Sequence, residues 1–178
     1  MTSIFTDKDY NSNDGMITYV WGPPLWHTLH TISFNYPVNP TQDEIEHYYN
    51  FYANLENILP CGICRKNIKK NLKKVPLTKD TLKNRYTLSK WVYDFHEVVN
   101  EMLGKKSKLS YEDVRDRYES FRARCLLNPK DRIGKSKKLE GGCIEPLYGI
   151  KSKCVLNIVP QDKRLKSINI DSRCKLKK

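Results

Sequence analysis

The stretch Thr87-Leu88-Ser89-Lys90-Trp91-Val92-Tyr93-Asp94-Phe95-His96-Glu97-Val98-Val99-Asn100-Glu101-Met102-Leu103-Gly104 decides the fold class. Leu88, Trp91, Val92, Phe95, Val98, Val99 and Met102 recur at the three- and four-residue spacing of one helix face. Gly104, with Lys105-Lys106 behind it, supplies a natural stop. Upstream, Pro23-Pro24 opens a helix with Leu25, Trp26, Leu29 and Ile32 on one side, and Tyr36-Pro37 ends it. Thr41-Gln42-Asp43-Glu44 is a capping box ahead of Ile45, Tyr48, Tyr49, Tyr52, Leu55 and Ile58. Leu59-Pro60 closes that helix, and Cys61-Gly62-Ile63-Cys64 opens another with Ile68 and Leu72 inward, ended by Pro76. Downstream, Ser110-Tyr111-Glu112-Asp113 caps a last amphipathic helix carrying Val114, Tyr118 and Phe121. Five helices and no strand before residue 125 predict an all-α protein, a four-helix bundle plus a short fifth helix.

Outside these helices the chain changes character. Of its 178 residues, 39% are hydrophobic, and aromatics alone reach 11%, enough to build one core. Residues 1–19 are polar, with an Asn11-Ser12-Asn13-Asp14-Gly15 turn, and read as a flexible lead. Residues 20–125 hold the helices. Residues 126–178, broken by Asn128-Pro129, Gly134, Gly141-Gly142 and Pro146, read as a small, irregular, basic extension. Its one β-like run is Cys154-Val155-Leu156-Asn157-Ile158-Val159, a candidate hairpin strand.

Net charge is +12, but it is unevenly spread. Residues 1–125 hold 18 basic and 15 acidic residues, net +3, and residues 126–178 hold 14 and 5, net +9. The tail charges read as a solvated basic segment rather than a nucleic-acid site. No apolar run approaches the roughly 20 residues that span a bilayer, so no membrane is expected. The start Met1-Thr-Ser-Ile-Phe-Thr-Asp-Lys8 lacks the basic-then-apolar order of a secretory signal, which predicts a cytoplasmic rather than a secreted chain.

Six cysteines in such a chain call for metal or redox chemistry. Cys61 and Cys64, two residues apart at a helix start, can close a small disulfide ring, and the helix dipole there stabilises a thiolate. The same spacing is half of a zinc site, which His27 and His30 would complete as Cys2His2. Spacing alone leaves both readings open. The zinc reading makes the chain a non-enzymatic helical module whose basic tail binds nucleic acid or an acidic partner. His30 follows Trp26 by four and His96 follows Trp91 by five, so an aromatic and imidazole-lined slot for a flat ligand fits the redox reading. No G-x-G-x-x-G is present, and Gly134-Lys135-Ser136 lacks the upstream glycine of a P-loop. A thioredoxin-like carrier would need a βαβ pattern that is missing.

Three linked motifs carry a resemblance. Trp21-Gly22-Pro23-Pro24-Leu25-Trp26-His27-Thr28-Leu29-His30, Pro60-Cys61-Gly62-Ile63-Cys64, and Trp91 through Lys105 are similar to the Erv/ALR family of FAD-linked sulfhydryl oxidases over about residues 20–122. The small size and Lys/Asn-rich composition resemble the versions of large cytoplasmic DNA viruses, with the host cytoplasm or the virion as their place. The resemblance implies FAD held noncovalently by Gly22, Trp26 and His30 of the first helix, by Tyr93, His96, Asn100 and Lys105 of the fourth, and by Arg117 and Tyr118. It implies Cys64 beside the flavin and Cys61 facing a protein dithiol, either a thioredoxin-like carrier or a structural protein. Electrons would pass through FAD to O2, giving hydrogen peroxide. It also implies a homodimer paired through the first helices.

The sequence departs from the family pattern in three ways. The usual His-Asn is His96-Glu97, the positions of an extra structural disulfide are Lys73 and Ser110, and a common tryptophan is Tyr118. Many members use a second cysteine pair as a shuttle. Among Cys125, Cys143, Cys154 and Cys174, the pair Cys143–Cys154 is favoured here as shuttle or staple, because it flanks the candidate hairpin.

Overall fold

A computed structural model describes residues 5–125, 143–163 and 169–176. The breaks expected at Asn128-Pro129, Gly134 and Gly141-Gly142 lie outside the described residues. Six α-helices run in order: α1 (Asp7–Tyr10), α2 (Thr18–Asn35), α3 (Gln42–Ile58), α4 (Gly62–Lys74), α5 (Arg85–Met102) and α6 (Tyr111–Glu119). Short 3-10 turns cover Asp80–Leu82 and Ser172–Cys174. No helix among the described residues is long and apolar enough to cross a membrane.

The bundle consists of α2 to α5, with α2 packed most extensively on α5, α3 on α4, and α4 on α5. Helix α6 leans on α2 and α5 as the fifth. Local chemistry sets the helix starts. Thr41 and Glu44 form the expected reciprocal cap of α3, Ser110 and Asp113 that of α6, and Asn84 and Thr87 one for α5. Helix α5 therefore begins at Arg85, two residues ahead of the expected Thr87. Gly104 takes φ +65° just beyond its end, a backbone state that costs a glycine little.

Two starts differ more. Helix α2 begins at Thr18, so Pro23 and Pro24 lie inside it. Each proline removes one amide donor, which argues for a later start on local grounds. Tertiary bonds hold the extra turn: the Trp21 indole Nε1 donates to Met16 O at 3.0 Å, and Met16 N to Pro60 O at 2.8 Å. The end of the expected flexible lead is thus docked beside the C-x-x-C motif. Gly15 there has no room for a side chain, since a Cβ would sit 2.8 Å from Pro60 O.

The core has two parts. The larger buries Leu29, Tyr36, Tyr52, Leu55, Ile68, Leu88, Trp91, Val92 and Phe95 among α2 to α5. Its aromatics also tie backbone: Tyr52 Oη donates to Leu29 O (2.8 Å), Tyr36 Oη to Leu82 O (2.8 Å) and Trp91 Nε1 to Val75 O (3.2 Å). The smaller joins Phe34, Tyr111, Val114 and Tyr118 under α6.

The tail corrects two expectations. No strand forms over 154–159, where the backbone is extended and exposed with no ladder. Cys143 bonds to Cys125 rather than to Cys154, which is free and exposed. The reason is an antiparallel pairing at the end of α6. Arg124 N donates to Glu145 O (2.8 Å) and Leu147 N to Arg122 O (2.7 Å), bringing Cys125 and Cys143 to 4.6 Å between Cα atoms. Arg122 anchors this junction to Glu119 and, through Nη2, to Phe34 O at 2.8 Å.

Candidate functional site

Cys61 is the N-cap of α4, and Cys61 and Cys64 are bonded to each other. Its extended backbone turns the chain into the helix, and its Sγ accepts a hydrogen bond from Cys64 N at 3.2 Å. Both sulfurs therefore sit where unpaired amides and the positive end of the helix dipole favour negative charge. The Arg65 guanidinium is held over this end by Leu59 O. Cys64 packs against the larger core cluster, alongside Trp21, Leu25 and Trp26. Thr18 Oγ1 lies 4.0 Å from its Sγ. Both cysteines are half-buried, and of the two it is Cys64 that packs on the core cluster.

Four of the expected residues meet in one stack of rings between α2, α5 and α6. The rings of Trp26 and His96 lie parallel, 3.9 Å apart at 4°. His30 Nε2 is 3.0 Å from His96 Nδ1. Tyr118 stacks on His30 at 5.1 Å and on Phe34 at 5.4 Å. Helical spacing explains the convergence: Trp26, His30 and Phe34 follow at intervals of four along one face of α2. The apolar side chains of Trp26, Leu29, Tyr52, Leu55, Ile68, Trp91 and Phe95 adjoin it and leave a gap of only about 10 Å³, roughly the room of one water.

Electrostatics mark the histidines. Burial pushes His30 down to about 3, helped by His96, His27 and Arg117, and burial, opposed by Glu97, pushes His96 down to about 4 with help from Lys105. The hydrogen bond between the rings itself needs one nitrogen without a proton. In the fold both rings stay neutral to well below pH 6.5, whereas the unfolded chain takes up both protons near that pH. Stability is therefore complete above pH 6.5 and falls as pH drops toward 4, by up to about 2.7 kcal/mol per pH unit while both titrate. Urea midpoints at about pH 7 and about pH 5 check this; equal midpoints would contradict it.

The remaining residues divide. Gly22 is buried inside α2. Lys105 Nζ sits 5.6 Å over the Tyr19 ring, at the end of α2 nearest Cys64. Asn100 Nδ2 donates to Glu97 Oε1 at 2.9 Å, so the carboxylate that replaces the usual asparagine orients a neighbouring amide. Tyr93 Oη donates to Leu109 O at 2.7 Å, which commits its hydroxyl to the loop before α6. The zinc ligands do not converge: the two cysteines are bonded together, His30 faces His96, and His27 Nδ1 faces Tyr118 Oη at 3.4 Å. Among the described residues no group of three or more metal-ligating side chains is placed to hold an ion.

Sequence reasoning missed His27 and Phe121 as parts of the ring stack, at 5.5 and 5.6 Å from Tyr118. It also missed Thr18 beside Cys64 and the Gly15–Met16 strap against Pro60 and Cys61. Only the helical register of α2 against α6 would have pointed to His27.

The site fits a flat, polar-edged cofactor. His30 Nδ1 is buried without a hydrogen-bond partner, an atom that a ligand would satisfy. Aromatic faces lie around it, and two cations stand near enough to act on the ring pair, Arg117 on His30 and Lys105 on His96.

Several known proteins are similar to this chain. A probable FAD-linked sulfhydryl oxidase of Acanthamoeba polyphaga mimivirus is 40% identical over 112 residues, covering 63% of this chain and 74% of that protein. An FAD-linked sulfhydryl oxidase of African swine fever virus is 33% identical over 99 residues, covering 56% and 80%. The crystal structure of the FAD binding domain of Erv1 from Saccharomyces cerevisiae superposes with a TM-score of 0.52 at 25% identity, covering 58% of this chain and 94% of that one. A sequence model of the Erv1 / Alr family matches residues 23–119, taking in Trp26, His30, His96, Tyr118, the C-x-x-C and the helices from Pro23 of α2 to the end of α6, and the chain belongs to that family.

Proposed function

We propose that this protein is an FAD-dependent sulfhydryl oxidase that forms disulfide bonds in protein dithiols and reduces O2 to hydrogen peroxide. The observation that carries the reading is a half-buried Cys61–Cys64 disulfide at a helix N-terminus, with Cys64 packed on the core cluster that Trp26 also borders. Two viral proteins similar to this chain are named as a probable FAD-linked sulfhydryl oxidase and an FAD-linked sulfhydryl oxidase.

The chain's own residues perform the thiol chemistry. A substrate thiolate attacks Cys61 Sγ, forming a mixed disulfide and breaking the Cys61–Cys64 bond, with the electron pair leaving on Cys64 Sγ. The α4 N-terminus and Arg65 stabilise that thiolate. The second substrate thiolate then attacks the substrate sulfur of the mixed disulfide, releasing the oxidised substrate and a Cys61 thiolate. Bound FAD supplies the two-electron acceptor that restores the pair and hands electrons to O2. Trp26, His30, His96 and Tyr118 would hold its rings, and Gly22, Asn100 and the ring of Tyr93 would line the approach. Lys105 and Arg117 would supply positive charge. His30 Nδ1 would gain its missing partner.

The test is the visible spectrum of the purified protein in air. A flavin band near 450 nm, expected from the cofactor itself, should bleach on adding dithiothreitol and recover as peroxide accumulates. A colourless protein would overturn the reading.

Protein dithiols and O2 are the partners this chemistry requires. A thioredoxin-like carrier or a structural protein as physiological dithiol, and a homodimer, belong to the same proposal. So does a place in the host cytoplasm or the virion, supported by the viral source of two similar proteins. The Cys125–Cys143 bond acts here as a staple. Arg122, three residues before Cys125, bonds Phe34 O near the end of α2, whereas Cys64 adjoins Thr18 at the start, about 24 Å away along the helix.

A further inference from the structure

Helix α4 carries Arg65, Lys66, Lys69, Lys70, Lys73 and Lys74 and no carboxylate. At 100° per residue the six cations occupy about half of the helix circumference, opposite buried Ile68 and Asn71. All five lysines are exposed. Among the described residues only Lys69 has an acidic neighbour, Glu56 at 4.0 Å. The helix dipole favours only Lys73 and Lys74, in the last turn. Four like-charge pairs lie four residues apart and repel, and Arg65 and Lys66 oppose the dipole in the first turn.

The face runs directly from the redox motif, because Cys61 caps the same helix and Lys66 lies little more than one turn behind it. Its counter-charge must come from another molecule. The chain's own tail is net +9 and a second copy is net +12, so both are repelled. A single-stranded nucleic acid would want aromatic platforms among the cations, and this face, five lysines and Arg65, presents none. An acidic protein bearing a reactive dithiol matches both the charge and the adjoining chemistry, since its attacking thiolate is itself an anion.

We propose that the lysine face of α4 is a docking surface for an acidic protein dithiol and steers the substrate thiolate to Cys61 Sγ. This rests on the oxidase reading. On docking, the substrate sulfur bonds to Cys61 Sγ, the Cys61–Cys64 bond breaks, and the electron pair leaves on Cys64. Positive charge around the target concentrates the acidic substrate and raises its encounter rate, an effect that salt screens.

The experiment uses the full-length protein with FAD and three reductants: dithiothreitol, a synthetic Cys-x-x-Cys peptide flanked by glutamates, and the same peptide flanked by lysines. At low salt kcat/KM for the glutamate peptide should exceed that for the lysine peptide by about tenfold or more, with the gap closing at high salt. The combined variant Lys66→Glu, Lys69→Glu, Lys70→Glu and Lys73→Glu should reverse the preference while turning over dithiothreitol at the unaltered rate. Equal rates for the two peptides at low salt, or an unchanged preference in the variant, would overturn the docking surface with the oxidase intact. Loss of dithiothreitol turnover in the unaltered protein would instead overturn the oxidase reading and the docking surface with it. Tight, salt-sensitive binding of a single-stranded oligonucleotide, lost in the variant and accompanied by no peptide preference, would reassign the face to nucleic acid.

Discussion

Replacing Cys64 by alanine is expected to reduce dithiol-driven oxygen consumption by about 10³-fold or more, the scale on which loss of a covalent-catalysis residue acts. The protein should keep its yellow colour. Without Cys64 there is no disulfide for a substrate thiolate to open, and Cys61 alone cannot take two electrons. Cys61→Ala should fall as far with protein dithiols, and the double variant no further, because the two sulfurs act as one unit. The fold should tolerate the change, since Cys64 is half-buried at the rim of the core rather than within it. An oxygen electrode and a visible spectrum read both effects. A Cys64→Ala protein that retains flavin and more than a tenth of the turnover would refute the assignment of Cys64.

His30→Ala should act on cofactor retention and stability together. His30 is 3% exposed, stacked on Tyr118 and bonded to His96. Its removal leaves His96 Nδ1 buried without a partner, at about 1–3 kcal/mol. The lost ring contacts and the cavity add further cost. A fall in melting temperature of about 10 °C follows for a chain of this size. Beyond stability, the variant loses the one side-chain nitrogen that, among the described residues, is buried without a hydrogen-bond partner, so the ratio of flavin to protein absorbance should drop by about tenfold after purification. His30→Gln, which retains a hydrogen-bonding side chain, should recover part of the flavin. A His30→Ala protein of low melting temperature but full flavin content would make the residue structural only.

The sequence by itself determined the helical body. Periodic apolar positions from Leu88 to Met102, the reciprocal cap at Thr41 and Glu44, and the stop at Gly104 act over a few residues, so local chemistry suffices. The C-x-x-C at the start of α4 was legible for the same reason. Along α2 the spacing of Trp26 and His30 already placed two rings on one face.

Other features needed the tertiary structure. Helix α2 starts five residues before Pro23 because Met16 and Trp21 bond across to Pro60 and to each other, contacts invisible to propensity. His27 enters the ring stack through the packing of α6 on α2, and Glu97 turns to Asn100 rather than to solvent. In the tail, four cysteines allow several pairings that no local rule ranks. Cys125 meets Cys143 because the chain after α6 runs antiparallel to residues 145–147, while Arg122 pins the junction to Phe34. Helix formation is set by neighbours in sequence; the partner of a ring, a cysteine or a docked strap is set by neighbours in space.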